Sequence, residues 1–346
     1  MNANKITQIT PPKKSERRVA YYDLLNILAC IAVVLLHQNG GVWQYKDSIN
    51  WDLSVIVETL CYWAVPVFFM LSGATLIGYK DKYSTKIFIR KRLLRTGVPF
   101  LFFSIVAFFI SYLPDLNEPV TIKEFLIGLM DARFYSLYWF FIPLFWLYFL
   151  MPVLTACRLF ERIEYLYLTM LLLLICTWPL VNELTSHEFR FSNNQLAGPV
   201  LYALLGWYIT HHTIGLKTRI CIYALALISF LLRGFSLLLL SHIEGHANTL
   251  LTNYFYPTTV IQAMAVFLLV QHTNIADKYN NLLKEISSLS LGIYLIHCFI
   301  ISIEDRLINM SDSYIYIIPV GFLTYFISAI IVYIGKKIPY LKIVFP

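Results

Sequence analysis

Ten long apolar stretches dominate this chain of 346 residues and restrict it to folds that suit a lipid bilayer. Hydrophobic residues make up 58% of the sequence and charged residues only 14%, against about 45–50% and about 25% in soluble domains. The core of one water-soluble domain cannot bury this excess of hydrophobic residues. We therefore predict an all-α, polytopic membrane protein with about ten transmembrane helices, at residues 20–39, 57–78, 97–113, 137–156, 163–181, 197–212, 217–240, 254–272, 287–303 and 315–337.

The distribution of basic residues predicts the orientation of these helices. Most of the 27 Lys and Arg residues fall on one side if the N-terminus is cytoplasmic. This predicts a multi-pass protein of the cell membrane with both termini in the cytoplasm, divided into a basic tail (1–19) and one transmembrane domain (20–340). The net charge is +7, but the basic residues alternate with the spans and form no single stripe. Membrane lipids are therefore expected partners, and nucleic acid is not.

Three polar side chains share one wall of the first apolar stretch. At 100° per residue, Asn26 and His37 lie within about 20° of one face and Asp23 within about 40° of it. An ionisable group on a membrane helix is costly, so it is a functional hypothesis by default. The functional interpretation makes His37 a general base near neutral pH. The alternative is a histidine that is hydrogen-bonded for structural reasons at the end of its helix.

A basic run, residues 86–99, precedes the third apolar stretch. Arg92 and Arg95 are one turn apart and share a face. Their forked donors suit the oxygens of a phosphate-rich ligand. The alternative is that their charge only anchors the helix on the cytoplasmic side.

Two features of the second apolar stretch have both a structural and a functional interpretation. Ser72, Gly73 and Ala74 are small and would let another helix backbone come close, while the hydroxyl of Ser72 offers a ligand contact. Glu58, near the predicted outer surface, could orient His37. A solvated carboxylate at a helix end explains Glu58 equally well.

The ninth apolar stretch carries Ser290, Tyr294 and His297 at positions i, i+4 and i+7 of one helix face. Three polar groups on one face indicate a polar interior or cavity. They fit a structural hydrogen-bond network as well as catalysis. The six cysteines form no C-x-x-C pair, and no metal-binding spacing of histidines occurs, so we predict no metal site.

Taken in order along ten spans, these motifs resemble those of the membrane-bound acyltransferase 3 family of bacterial O-acyltransferases. The resemblance covers about residues 18–340. It rests on the helix from Asp23 to His37, Phe68-Phe69-x-x-Ser72-Gly73, Arg92-x-x-Arg95 before Pro99, Trp139-Phe140 with Tyr148 and Pro152, and Ser290-x-x-x-Tyr294-x-x-His297.

The resemblance implies an O-acetyltransferase that moves an acetyl or similar short acyl group from acyl-CoA to a hydroxyl of a cell-envelope or exported carbohydrate. Acetyl-CoA is then a co-substrate, no cofactor is bound permanently, and the acceptor is a carbohydrate or glycolipid. His37 matches the catalytic histidine of the family. Asp23 and His297 are further catalytic candidates, with His297 as the fallback for His37, and Glu58 is the candidate that could orient His37. Arg92 and Arg95 match basic positions on the CoA side, with Asn26 and Ser72 as further candidate contacts.

The sequence departs from the family pattern at Asn26, where the family often has arginine eleven residues before the histidine. An amide cannot neutralise a phosphate. Either Arg17, Arg18, Arg92 or Arg95 supplies the missing charge, or CoA binding is altered.

Two other functions are consistent with the spans. A transporter or flippase for a lipid-linked or small polar substrate would also use intramembrane polar groups and broken helices. A membrane scaffold or sensor would explain the spans but would make no use of His37 and His297.

Overall fold

Helices provide all the regular structure in the part of the chain that this computed structural model describes, residues 19–112, 120–160, 162–185, 194–274, 278–307 and 314–346. The all-α prediction is confirmed. The basic tail lies almost wholly outside the described residues. The α-helices are α1 Ala20–Gln38, α2 Ile49–Cys61, α3 Ala64–Leu76, α4 Thr85–Arg92, α5 Val98–Ala107, α6 Ile122–Met130, α7 Phe141–Leu154, α8 Arg162–Thr185, α9 Asn194–His211, α10 Leu216–Glu244, α11 Pro257–Gln271, α12 Asn280–Ser287, α13 Ser290–Leu307 and α14 Tyr314–Lys337.

Several of these helices can cross a membrane, so the chain is a multi-pass membrane protein. Within the described residues, seven helical stretches are long and apolar enough, and the bent pair α12–α13 would be an eighth. The prediction of about ten spans is not confirmed. Helices α9 and α11 occupy the sixth and eighth predicted positions but are not among the seven. Helix α11 has 15 residues and rises only about 22 Å, less than the roughly 30 Å of a hydrocarbon core.

Helix α1 lies at the centre of the bundle. It packs against α3, α12, α13 and α14, and also contacts α2 and α11. Apolar side chains cover every face of this 19-residue helix except the wall formed by Asp23, Asn26 and His37. Most of the helix is therefore buried. The polar side chains of α1 therefore face other helices and not lipid.

Helices α3 and α9 pack through small residues. A Cβ atom on Gly73 would lie 1.9 Å from the backbone oxygen of Ala203, and one on Gly206 would lie 2.0 Å from that of Met70. Only glycine permits this approach of two backbones. Gly73 thus has the packing role that the sequence allowed for.

The basic run is helical and is not a loop. Helix α4 continues through a π-helical turn at residues 93–97 into α5, and the whole stretch Thr85–Ile110 is one of the seven candidate spans found in the described residues. A π-turn inserts an extra residue into the helical ladder and occurs often at functional sites. Here it carries Arg95 and follows Arg92 directly.

The ninth predicted span, 287–303, begins at a break between two helices. Helices α12 and α13 meet at an angle of 50° between Ser287 and Ser290. Asn26 Nδ2 donates to the carbonyl oxygen of Ser287 (3.0 Å), and Lys336 Nζ donates to that of Ser288 (2.9 Å). Breaks inside membrane helices persist where such partners satisfy the freed carbonyl groups.

Helix α6 is not among the candidate spans and begins with a capping box. The Thr121 side chain accepts a hydrogen bond from the backbone of Glu124, and the Glu124 carboxylate accepts one from the backbone of Thr121. These bonds hold the pKa of the Glu124 carboxyl below its usual value. The helix leads into the turn of residues 136–140 that borders the site described next.

Candidate active site

A cavity of about 320 Å³ opens between α1, α3, α7 and the break in α12–α13. Arg92, Arg95 and Lys336 lie at the same end of the bundle, which we call the basic side. The cavity starts there and runs inward to Tyr294. Its lining includes many residues singled out by the sequence, namely Asp23, Asn26, Ser72, Arg92, Arg95, Tyr148, Ser290 and Tyr294.

The two arginines meet at the mouth of this cavity, as their spacing predicted. Arg92 is half-buried, and its guanidinium lies 5.9 Å from the ring centre of Tyr148 and 5.8 Å from that of Phe88. Its Nε atom is buried and has no hydrogen-bond partner among the described residues. Arg95 is exposed. A cation with an unused donor at a cavity wall fits an anionic ligand.

Asn26 lines the cavity but uses its amide donors within the protein. Besides the Ser287 carbonyl, Asn26 Nδ2 donates to the hydroxyl oxygen of Ser287 at 2.9 Å. The amide nitrogen of Asn26 therefore bonds to two oxygen atoms of Ser287 in the broken helix. The residue that replaces the arginine of the family pattern tethers α1 to α12 and cannot supply a positive charge.

Ser72 and Asp23 also reach the cavity wall. The Ser72 hydroxyl donates to the carbonyl of Phe68 one turn earlier (2.9 Å), and Ser72 lines the cavity. Asp23 is buried at 4% exposure. Ser290, deeper in the cavity, has a buried hydroxyl oxygen with no hydrogen-bond partner in the described structure. These groups can position a ligand.

Tyr294 and Phe140 form the inner end of the cavity. Their ring centres are 5.6 Å apart, and Tyr294 Oη donates to the carbonyl of Leu137 at 2.7 Å. The Tyr294 ring lies 6.3 Å from the ring of His37 and 5.6 Å from that of His297. The two histidines thus lie directly beyond the inner end of the cavity and do not line it.

His37 and His297 form a hydrogen-bonded pair. Nδ1 of His37 lies 2.6 Å from Nε2 of His297, and the two rings stack at 4.9 Å with an interplanar angle of 10°. His297 is completely buried, whereas His37 is half-buried. The sequence placed both on polar helix faces, and the structure brings the two faces together.

The hydrogen bonds of the pair define where the protons are. Nδ1 of His297 lies 3.0 Å from the carbonyl oxygen of Ile293, which can only accept a hydrogen bond. Nδ1 of neutral His297 therefore carries the proton, and its Nε2 is an acceptor. It follows that Nδ1 of His37 donates to His297. Nε2 of His37 is left with a free lone pair, which is the form that a general base requires.

The described hydrogen bond of Glu58 is to Asn39 and not to His37. The Glu58 carboxylate accepts from Asn39 Nδ2 (3.3 Å), and Asn39 caps the end of α1 just beyond His37. Asn39 Nδ2 also donates to the carbonyl of Ser54 at 2.9 Å. Glu58 thus belongs to a buried contact between α1 and α2, while His297 occupies the place beside His37.

The sequence interpretation gave Arg233 no role in a site. It lies within the apolar helix α10 and is completely buried. An ionisable residue in the middle of a membrane helix was the signal that could have drawn attention to it. Its guanidinium donates to the carbonyl of Leu251 and to the side chains of Gln262 and Thr259.

Comparison with known proteins gives one decisive match. The model of an acyltransferase domain family, acyltransferase 3, matches residues 19–334, which is nearly the whole chain. The chain belongs to this family. Neither a curated protein nor a solved structure matches it. As a member of the acyltransferase 3 family with several membrane-spanning helices, the protein is a membrane acyltransferase.

The histidine pair of this acyltransferase also lies near a thiol. One nitrogen of each histidine and Sγ of Cys298 lie within 4.8 Å of one another, a set that could hold a metal ion. A tetrahedral zinc ion with Zn–N bonds of about 2.0–2.1 Å separates two ligating nitrogens by about 3.3 Å. The 2.6 Å between the histidine nitrogens is shorter and is the length of a hydrogen bond. The present geometry therefore favours a hydrogen bond between the two histidines over a shared metal ion.

Proposed function

We propose that this membrane acyltransferase moves an acetyl or similar short acyl group from acyl-CoA to a hydroxyl of a cell-envelope or exported carbohydrate, with His37 as general base. The observation that carries the proposal is the arrangement of the cavity and the histidine pair. Arg92 and Arg95 lie at the mouth of the cavity, on one side of the bundle. The ring of Tyr294 separates the inner end of the cavity from the His37 imidazole, whose Nε2 has a free lone pair.

The mouth of the cavity suits the anionic part of acyl-CoA. Arg92 and Arg95 provide two forked cations, and the unpartnered Nε of Arg92 is available to a phosphate oxygen. Asn26 provides no charge, so these two arginines are our choice among the alternatives that the family comparison left open. The pantetheine arm would then extend along Ser72 and Ser290 toward Tyr294. Ser290 lies about 10 Å before His297 along α13, at 1.5 Å per residue.

His37 would accept the proton of the acceptor hydroxyl at Nε2. The hydroxyl oxygen forms a bond to the thioester carbonyl carbon, the bond from carbon to sulfur breaks, and the proton held on His37 passes to the departing thiolate. During this cycle the Nδ1 proton of His37 stays in its bond to His297, and Nδ1 of His297 stays bonded to Ile293. His297 is thus a positioning residue that fixes the ring and tautomer of His37.

The orientation proposed is one in which the basic side faces the cytoplasm. Acyl-CoA is made in the cytoplasm, and cytoplasmic loops of membrane proteins are enriched in Lys and Arg. Both chain termini would then be cytoplasmic, and the protein would lie in the cell membrane. Reporter fusions after Pro346 and within residues 114–136 should report opposite sides of the membrane. Two fusions on the same side would contradict this orientation.

The family match favours acyl transfer over a transporter or flippase. Mass analysis of envelope glycans from cells with and without the protein separates the two functions. The proposal predicts that one carbohydrate loses an acyl mass increment when the protein is absent. A carbohydrate that changes location without any change in acylation would instead indicate a transporter.

A further inference from the structure

A second cavity, of about 540 Å³, lies on the other side of the turn that closes the first one. Its wall includes Tyr62, Trp139 and Tyr254 together with Asp131 and Asn253. Among the described residues, none lines both cavities. Broad aromatic surface with a few amide and carboxylate groups is the usual make-up of a small-molecule site, where the rings provide contact area and the polar groups provide orientation.

The aromatic side chains of this cavity form one continuous column. The rings of Trp139 and Tyr254 stack at 5.4 Å with an angle of 25°, and those of Tyr254 and Tyr62 stack at 4.2 Å with an angle of 6°. The guanidinium of Arg233 lies 4.1 Å from the centre of the Tyr62 ring and ends the column. A buried cation on a ring face fixes that ring by cation–π attraction. The column therefore presents a rigid aromatic surface to the cavity.

Arg233 also holds the loop that forms one wall of the cavity. Its Nε and Nη2 atoms each lie 3.2 Å from the carbonyl oxygen of Leu251. Its remaining described donors bond to Gln262 Oε1, at 3.2 Å, and to the hydroxyl of Thr259. That hydroxyl in turn donates to the carbonyl of Asn253 at 2.8 Å. One charged side chain thus fixes the loop backbone directly at Leu251, next to the wall, and through Thr259 at Asn253, in the wall.

The rest of the loop is fixed in the same way. Tyr202 Oη donates to the carbonyl of Tyr254 at 2.5 Å, and the side chain of Asn253 accepts from the backbone N–H of Phe255 at 2.9 Å. Tyr202 and Thr259 are themselves fully buried. The cavity wall is consequently preorganised by buried side chains and would lose little entropy when a ligand binds.

One turn, residues 136–140, lies between the second cavity and the histidine pair. Trp139 lines the second cavity, and the next residue, Phe140, lines the first. The turn is anchored to α13 by two tyrosines: Tyr294 Oη donates to Leu137, and Tyr138 Oη donates to Leu295 at 2.5 Å. Helix α13 also carries His297. A molecule in the second cavity is therefore separated from the donor cavity by the turn that borders the histidines.

We infer that the second cavity binds a sugar ring of the acceptor, with Trp139 as its stacking platform and Arg233 as the positioning residue that fixes the aromatic column. This inference rests on the proposed function. A pyranose ring has an apolar face of C–H groups, which matches an aromatic ring, and a rim of hydroxyl groups, which matches the side chains of Asn253 and Asp131. Asp131 also pairs with Arg133 and Asn253 with the backbone of Phe255, but an acyl chain alone would form no hydrogen bond with either side chain.

Photolabelling of the full-length protein in lipid nanodiscs tests the site without requiring acyl transfer. The probes are octyl glycosides of glucose, galactose, N-acetylglucosamine and rhamnose that carry a diazirine on the sugar. Adducts are mapped by peptide mass spectrometry, with and without an excess of the corresponding methyl glycoside. We expect at least one probe to label residues 136–143 or 251–256, and the methyl glycoside to reduce that labelling at least fivefold.

Two variants make this result specific. Trp139→Ala should lose the competed labelling, whereas Trp146→Ala, which removes an exposed indole of α7 that does not line the cavity, should keep it. Labelling that persists in Trp139→Ala, or four probes that give no competed labelling in these segments, would overturn the sugar site.

His37→Ala should label like the natural protein. Competed labelling without any transfer from acetyl-CoA would leave the sugar site standing and count against the proposed function.

Arg233 is tested by its effect on the acceptor alone. Arg233→Lys, which keeps the charge but not the fork, should label at least fivefold less than the natural protein while acetyl-CoA binding stays unchanged. Arg233→Lys with unaltered competed labelling would contradict the positioning role. Equal losses of labelling and acetyl-CoA binding would also contradict it, because they would indicate a general structural role.

Discussion

Nδ1 of His37 on α1 lies 2.6 Å from Nε2 of His297 on α13, although 260 residues separate them in the chain. The Ile293 carbonyl fixes the tautomer of His297, and His297 in turn fixes that of His37. One imidazole is thereby prepared to accept a proton at Nε2. This relationship gives the two histidines unequal roles and leads to different predictions for each.

Replacement of His297 should impair turnover without abolishing it. His297→Ala removes the acceptor for His37 Nδ1–H, so kcat should fall roughly 10- to 100-fold, the range seen when the hydrogen-bond partner that orients a metal-bound histidine is removed. His297→Gln keeps an acceptor oxygen and should retain more activity than His297→Ala. The measurement is kcat with saturating acetyl-CoA. Equal activity of the two variants would show that the hydrogen bond to His37 is unimportant.

Arg92→Ala and Arg95→Ala should weaken acyl-CoA binding. Loss of a charge-assisted hydrogen bond costs about 1.5–3 kcal/mol, or roughly ten- to a hundredfold in Kd. Lysine should rescue only in part, because it lacks the planar fork. Arg90→Ala is the matched control, since Arg90 belongs to the same basic run, is exposed and does not line the cavity. Binding is measured with labelled acetyl-CoA. If Arg90→Ala lost as much affinity for acetyl-CoA as Arg92→Ala, the basic run would serve only to orient the helix in the membrane.

Gly73→Ala should destabilise the protein more than it affects any single binding step. The new Cβ atom would meet the backbone of Ala203 at 1.9 Å, and a backbone cannot move aside as a side chain can. Overpacking of this kind costs about 1–3 kcal/mol or more. Gly40→Ala is the control, because a Cβ atom at Gly40 would meet no heavy atom of another described residue within 4 Å. Thermal unfolding in detergent compares the two, and equal melting temperatures would contradict the packing between α3 and α9.

Metal chelators should leave acyl transfer unchanged. The two histidine nitrogens are held at hydrogen-bond distance, about 0.7 Å closer than a tetrahedral zinc ion would place them. Activity measured before and after dialysis against a strong chelator checks this. Loss of activity that is restored by added zinc would assign His37, His297 and Cys298 to a metal centre.

The sequence predicted the polar walls of the site but not how they meet. Helical spacing placed Asn26 and His37 on one face of α1, and it placed Tyr294 and His297 on one face of α13. Which face would meet which depends on packing between helices that are distant in the chain. For that reason the sequence offered Glu58 as the residue that could orient His37, and His297 as an alternative catalytic histidine. In the structure Glu58 contacts Asn39.

Two further features could not be read from hydropathy. Helices α9 and α11 sit in a bundle where neighbouring helices cover them, so α11 can be shorter than a full span. Arg233 entered the sequence interpretation only as one charge among many. Its role depends on a loop carbonyl and a tyrosine ring that approach it only in the folded bundle.

The most direct test of the account is turnover by His37→Ala and His37→Gln in purified, well-folded protein. Alanine removes the imidazole, and glutamine keeps hydrogen bonding but cannot accept and release a proton at working pH. A general base contributes about 10²–10⁴-fold to a rate, so both variants should lose transfer by at least about 10²-fold while they bind acetyl-CoA like the natural protein. Turnover near the natural level in His37→Ala would contradict the mechanism.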